Sequence, residues 1–158
     1  MRVIVFSDSH GDFDALCRVV DAQPGAEVFL HLGDGAREAG DLQDLYPQKR
    51  IILVRGNCDW GCAAKDEELI TLAGKRIFLA HGHTLDVKRG QTKLLDRASS
   101  LGADIACFGH THSPFSAWSE ALCLLNPGSV SSPRTGAHPT YATIDIDPEG
   151  AAISIAEL

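Results

Sequence analysis

The chain has 158 residues, of which 44% are hydrophobic and 22% charged, with a formal net charge of −7. That size fits one domain with a real core, spanning residues 1–158, and leaves no room for a second catalytic domain. The acidic balance and the lack of any Lys/Arg cluster argue against stable nucleic acid binding, though not against a small anionic substrate.

Arg2 to Phe6 is a β-branched and aromatic run that stops at a polar loop, as a buried strand does. Val3 to Phe6 is too short for a signal peptide or a membrane span, so a soluble, cytoplasmic protein without membrane association is expected. Asp12 to Ala22 then carries Phe13, Leu16, Cys17 and Val20 on one helical face and ends at Pro24-Gly25. Glu27 to Leu32 is the next strand. Residues 36–46 form a helix through Ala39, Leu42, Leu45 and Tyr46 that Pro47 ends, and Arg50 to Val54 is a third strand.

The alternation of strand and helix predicts a parallel sheet with right-handed crossovers. Glu68 to Leu72 and Lys75 to Ala80 read as a hairpin around Ala73-Gly74. Gln91 to Leu101 is helical, and Asp104 to Phe108 is another short buried strand. Phe115 to Trp118, Leu122 to Leu125, Thr140 to Asp147 and Ala151 to Glu157 are strands divided by turns, so an antiparallel section closes an α/β fold.

Five segments that each follow a strand carry metal-type side chains: Asp8-Ser9-His10, Gly33-Asp34, Gly56-Asn57, His81-Gly82-His83 and Gly109-His110-Thr111-His112. If these strands share one sheet, two Asp, one Asn and four His gather at one edge of it, beyond the strands' carboxyl ends, where such sheets bind ligands. One Asp-x-His reads equally as a helix cap, and one Gly-Asp as a turn. The two His of Gly109-His110-Thr111-His112 point the same way in extended chain and can chelate. Seven O and N donors suit two ions sharing a bridge, which points to phosphate ester hydrolysis. Mixed N/O donors without thiolate suit Mn²⁺, with Fe²⁺, Ni²⁺ or Zn²⁺ as alternatives.

Of the five cysteines, Cys17, Cys107 and Cys123 sit in apolar stretches and read as reduced core thiols. Cys58 and Cys62 bracket Asp59-Trp60-Gly61 with no second pair to complete a zinc site. His31 lies inside an apolar strand and reads as a core histidine, and His138 as a loop residue.

Together these segments resemble the calcineurin-like metallophosphoesterases, and within them the small prokaryotic phosphodiesterases of the YfcE type. The resemblance covers essentially the whole chain. It is carried by Asp8-Ser9-His10, Gly33-Asp34, Gly56-Asn57-Cys58-Asp59, His81 and Gly109-His110-Thr111-His112. Val87-Lys88-Arg89-Gly90, Asn126-Pro127-Gly128-Ser129, Pro133-Arg134 and Tyr141-Ala142 add to it. It implies a layered fold with mixed sheets, parallel in the N-terminal part and antiparallel in the C-terminal part, flanked by helices.

For the site, the resemblance implies that Asp8, His10 and His112 hold one divalent ion, that Asn57, His81 and His110 hold a second, and that Asp34 bridges them. A hydroxide between the ions would attack phosphorus in line. Asn57, Cys58 and His83 are the implied catalytic residues, and Asn57 and Arg134 the implied substrate contacts, with Arg55 a further phosphate-binding candidate. Cys58 departs from the many relatives with His there; a thiol is the weaker proton donor, which favours diesters and good leaving groups. Asp59 is expected to orient a ligand, and Trp60 either to pack or to stack on a base or aryl group.

The expected activity is hydrolysis of a small phosphodiester in an open cleft. Phosphomonoester or nucleotide pyrophosphate hydrolysis is the alternative within the same chemistry. A protein-interaction scaffold, as in the retromer subunit that resembles this family, is the alternative outside it. The chain could also form a homo-oligomer.

Overall fold

The computed structural model describes residues 1–134 and 136–158. The first sheet contains β1 (Arg2–Phe6), β2 (Val28–His31), β3 (Arg50–Leu53), β9 (Thr140–Asp147) and β10 (Gly150–Glu157), in the order β10-β9-β1-β2-β3. The second contains β4 (Glu67–Leu72), β5 (Lys75–Ala80), β6 (Ile105–Phe108), β7 (Pro114–Ser119) and β8 (Leu122–Pro127), in the order β4-β5-β6-β8-β7. Three helices complete the fold: α1 (Phe13–Ala22), α2 (Ala36–Leu45) and α3 (Thr92–Ser100).

The pleat explains the layering. Val3 and Val5 of β1 face the second sheet and pack in one core with Leu30, Ile77, Leu79, Ile105, Cys107 and Leu125. Ile4 and Phe6, on the other face, pack with Leu16 and Val19 of α1 and Leu42 of α2. Phe78 and Ala80 of β5 likewise turn away from the shared core toward Leu94 and Ala98 of α3. Both sheets are thus covered on both faces, which is why the central strands read as unbroken apolar runs. The layers run helix, sheet, sheet, helix.

One expectation needs correction. The ligand-bearing strands belong to two sheets, not one: β1, β2 and β3 lie in the first, β5 and β6 in the second. Both sheets are mixed, as expected, with β1-β2 and β2-β3 parallel and β7-β8 and β9-β10 antiparallel. In addition β9 pairs antiparallel with β1, while β5-β6 and β6-β8 are parallel. The strand patterns are right, but partner choice depends on which apolar faces meet across the core.

Leu79 is fully buried between the sheets. Leu79→Ala should lower unfolding free energy by about 2–5 kcal/mol in urea titrations, through lost burial and the cavity left behind. A loss below about 1 kcal/mol would mean that the sheets do not share this core.

Candidate metal centre

The seven donors converge where the ends of β1, β2, β5 and β6 and the loop after β3 meet. Their backbones are unusual. Asp8, His10, Asp34, His110 and His112 all have positive φ, between 45° and 67°. They are five of the eight non-glycine residues with that geometry among those described. Left-handed backbone costs an L-residue about 1–2 kcal/mol, and its concentration here marks a functional region.

Two groups form. Asp8, His10 and His112 bring ligand atoms within 4.8 Å of one another, and so do Asp34, His81 and His110. In the first, His112 Nε2 lies 3.2 Å from Asp8 Oδ1 and 3.2 Å from His10 Nε2. In the second, His81 Nε2 is 3.2 Å from His110 Nδ1, 3.2 Å from Asn57 Oδ1 and 3.5 Å from Asp34 Oδ2. The same Asp34 Oδ2 is 3.8 Å from His10 Nε2, so one carboxylate oxygen faces both groups.

Hydrogen bonds fix which ring nitrogens face inward. His81 Nδ1 lies 2.7 Å from the Leu32 carbonyl and His112 Nδ1 lies 2.6 Å from the Ser132 carbonyl. A carbonyl only accepts, so both Nδ1 atoms carry the proton. In a neutral ring, each Nε2 then aims a lone pair at carboxylate oxygens and other ring nitrogens. Asp8 Oδ1 is buried and has no hydrogen-bond partner among the described residues, although His112 Nε2 is 3.2 Å away. Acceptors facing acceptors repel unless a cation lies between them, so this donor set fits divalent metal ions.

The ionisation pattern has the same origin. Burial disfavours the Asp34 carboxylate, but the bond and charge of His81 and the Cys58 N–H outweigh it and hold Asp34 well below the usual range. For Asp8, burial is likewise outweighed by His112 and His81. Burial works against the His81 imidazolium, yet Asp34 and Asp8 raise its pKa, and the adjacent Asp8 carboxylate raises that of His112. His110 is pushed to about 4 by burial, His81 and Lys88. Burial also pushes the Cys58 thiol up, to about 11, with the nearby Asp34 adding to it.

A supporting shell holds these loops. Asp59 Oδ1 accepts from the N–H groups of Gly35 and Ala36, and its Oδ2 from those of Asp34 and Gly56. It thereby caps α2 from another loop, because Gly35, the N-cap residue, has no side chain to do so. Gly35 cannot carry one: a Cβ there would lie 1.9 Å from Ser9 Oγ. At Gly56 a Cβ would lie 2.1 Å from Asp34 Oδ1. His31 Nδ1 accepts from the Gly33 N–H, so its Nε2 donates to Ser9 Oγ at 3.1 Å, and Ser9 Oγ reaches Glu38. Asn126 Nδ2 donates to the Gly109 carbonyl and to Thr111 Oγ1, and Ser129 and Ser131 both donate to the Asp8 carbonyl.

The remaining sequence candidates divide. Cys58 is exposed beside Asp34, and its Sγ lies within 4.8 Å of ligand atoms of His10 and Asp34. His83 lines a cavity with Asn57, and its buried Nδ1 has no partner among the described residues. Arg134 is exposed and donates from Nε to the Thr111 carbonyl, beside His112. Arg55, a phosphate-binding candidate in the sequence, is committed to Asp66 through bonds of 2.8–3.0 Å. All five cysteines are free thiols; Cys107 and Cys123 are buried, as expected, whereas Cys17 is only half-buried. The roles of Ser9, Glu38 and Ser131 gave no sequence signal, because each acts across loops that only the fold brings together.

Two outcomes test this shell. Asp59→Ala should weaken Mn²⁺ binding about 10–100-fold in calorimetric titration, with Asp59→Asn, which keeps one acceptor oxygen, in between. Unchanged affinity in both would deny Asp59 its positioning role. Burial pulls the His31 pKa from 6.5 to about 4, so the unfolded state binds the extra proton between those values. His31 should therefore cost chelator-treated protein up to about 3 kcal/mol as pH falls from 6.5 to 4. The check is that His31→Gln flattens this part of the stability profile relative to the unaltered chain.

Comparisons with known proteins bear on the family of the chain. The profile of the calcineurin-like phosphoesterase superfamily domain matches residues 1–149. The chain is 32% identical over 155 residues to the probable metallophosphoesterase YsnB of Bacillus subtilis, covering 97% of this chain and 89% of that one. It is 33% identical over 175 residues to the phosphodiesterase YfcE of Escherichia coli, covering 93% and 89%. A crystal structure of a predicted phosphoesterase from Streptococcus pneumoniae superposes with a TM-score of 0.86 at 30% identity, over 99% of this chain and 88% of that one. None of the described helices is long and apolar enough to cross a membrane. With a family profile spanning nearly the whole chain and relatives at this identity, the chain belongs to the calcineurin-like phosphoesterase superfamily.

Proposed function

We propose that the chain is a phosphodiesterase that acts on small phosphodiesters with two divalent ions, Mn²⁺ first among them. The observation that carries this reading is the position of Asp34 Oδ2, 3.8 Å from His10 and 3.5 Å from His81, facing two separate groups of ligand atoms. Asp8, His10 and His112 would hold one ion, and Asn57, His81 and His110 the other, with Asp34 shared. When bound, such a pair supplies Lewis acidity toward a phosphate oxygen and lowers the pKa of water.

The chain's own residues do the positioning. His81 and His112, locked by the Leu32 and Ser132 carbonyls, keep their Nε2 atoms turned inward. Asn57 stands exposed at the rim with its carbonyl toward His81, and Arg134 places a guanidinium beside the His110-to-His112 loop, where it can take a phosphate oxygen. His83 faces the cavity beside Asn57. Its pKa is lowered by burial and by the charge of His81, so it serves as a hydrogen-bond partner rather than as a proton store.

Proton donation separates diesters from monoesters of alkyl alcohols. Cys58, at the rim beside Asp34, is a thiol whose pKa burial and Asp34 push up to about 11 in the metal-free chain, which makes it a poor proton donor. Leaving groups that depart without protonation are then favoured. A second divalent charge also offsets the repulsion between two buried carboxylates and an incoming phosphate.

Chelator-stripped protein should hydrolyse neither bis-p-nitrophenyl phosphate nor p-nitrophenyl phosphate. Added Mn²⁺ should restore turnover, with the diester preferred by about tenfold or more. Preference for the monoester would make this a phosphatase. No turnover of either ester with Mn²⁺, Ni²⁺ or Zn²⁺ would leave a scaffold of the same fold. Asp34→Asn should lose one equivalent of bound metal and at least about 100-fold in kcat, and full activity in that variant would remove the bridging role.

A further inference from the structure

Trp60 is 92% exposed, the most exposed large hydrophobic side chain among those described. An indole in water at the rim of a polar site calls for an explanation that core packing does not supply. Its loop is not loose. Cys58 N–H donates to Asp34 Oδ1, Trp60 N–H to the Cys58 carbonyl, and Asp59 takes four amide donors from the neighbouring loops. The Trp60 backbone is therefore held close to the carboxylate that faces both ligand groups.

Cavities flank it on either side. The larger, about 630 Å³, runs from His10 and Asp34 past Trp60 to Arg37 at the start of α2. The smaller, about 360 Å³, lies between Trp60, Asn57 and His83. Both volumes are of the size that small-molecule sites take. Each includes candidate ligands in its lining, His10 and Asp34 in the larger and Asn57 in the smaller. Arg37 is exposed and lines the larger cavity, so its charge is available to an anion there. A phosphodiester has two substituents on one phosphorus, and this arrangement offers a separate recess for each, with one aromatic wall between them.

We propose that Trp60 is a stacking platform, and that the substrates are phosphodiesters carrying an aromatic group, a nucleobase or an aryl ring, in the larger cavity. This rests on the phosphodiesterase reading for the phosphate centre, and it adds the class of substituent and the residue that selects it. Stacking suits the position, because a π-face recognises any flat ring and needs no hydrogen-bond code. The ring is recognised at Trp60, and His10 and Asp34 line the same recess.

The test is calorimetric binding of adenosine 5′-monophosphate, phenyl phosphate and ribose 5-phosphate to Zn²⁺-loaded protein, in the unaltered chain and in Trp60→Leu and Trp60→Phe. At least one aromatic phosphate should bind about 5- to 100-fold tighter than ribose 5-phosphate. The ratio should fall to about one in Trp60→Leu and recover in part in Trp60→Phe. A tighter adenosine 5′-monophosphate assigns the recess to a nucleobase, and a tighter or equal phenyl phosphate assigns it to an aryl ring. In Trp118→Phe, where Trp60 is the sole tryptophan, the tighter probe should also quench emission saturably. The proposal is overturned if ribose 5-phosphate binds as tightly as both aromatic probes, if Trp60→Leu leaves the ratio unchanged, or if no probe binds. Hydrolysis of bis-p-nitrophenyl phosphate by the same preparation is read separately. Its absence removes the phosphodiesterase reading, while its persistence with a Trp60-independent ratio removes only the platform.

Discussion

Two buried carboxylates and a set of inward-turned imidazole nitrogens occupy one small volume, and the rest of the structure answers the repulsion this creates. Asp8 and Asp34 are almost wholly buried, and His81 Nε2 lies 4.0 Å from one and 3.5 Å from the other. Lone pairs so arranged are stable together only with positive charge among them, carried by protons on imidazole or by metal ions. The raised pKa values of His81 and His112 and the depressed values of Asp8 and Asp34 express that one requirement.

Holding such a cluster takes more than its ligands. Asp59 spends its carboxylate on four backbone amides, so it adds order without competing for a cation. The chain from His31 through Ser9 to Glu38 ties the loop after β1 to the end of β2 and to α2. Asn126, Ser129 and Ser131 reach in from the end of β8 and beyond to fix the carbonyls that flank Asp8 and His110. Most of these bonds are local in space and distant in sequence. They let five ligand positions keep left-handed backbone that would relax in an isolated loop.

The same rigidity gives the outer residues meaning. Cys58, Trp60 and Asn57 sit on a loop pinned at Asp59, so their offsets from the centre are set by the fold rather than by chance exposure. Arg134 and Arg55 show the contrast. One holds a backbone carbonyl beside the site through its Nε, while the other is taken up by Asp66.

The local elements were legible from residue order alone, because buried strands flanked by helices leave apolar runs and helical spacing that need no tertiary information. Arg2–Phe6 and Lys75–Ala80 have the ends the pattern predicts, and Asp12 caps α1 through Ala15 N–H. The seven donors stand out too, since each follows a strand and the chemistry of two Asp, one Asn and four His is restrictive. Sheet membership was not legible: β9 returns from the far end of the chain to pair with β1, and β8 inserts between β6 and β7. Strand patterns encode which faces are apolar but not which neighbour will share them. Only the packed structure placed Asp34 between two groups, committed Arg55 to Asp66 and set Trp60 between two recesses, because each of those facts is a distance between segments that the sequence keeps apart.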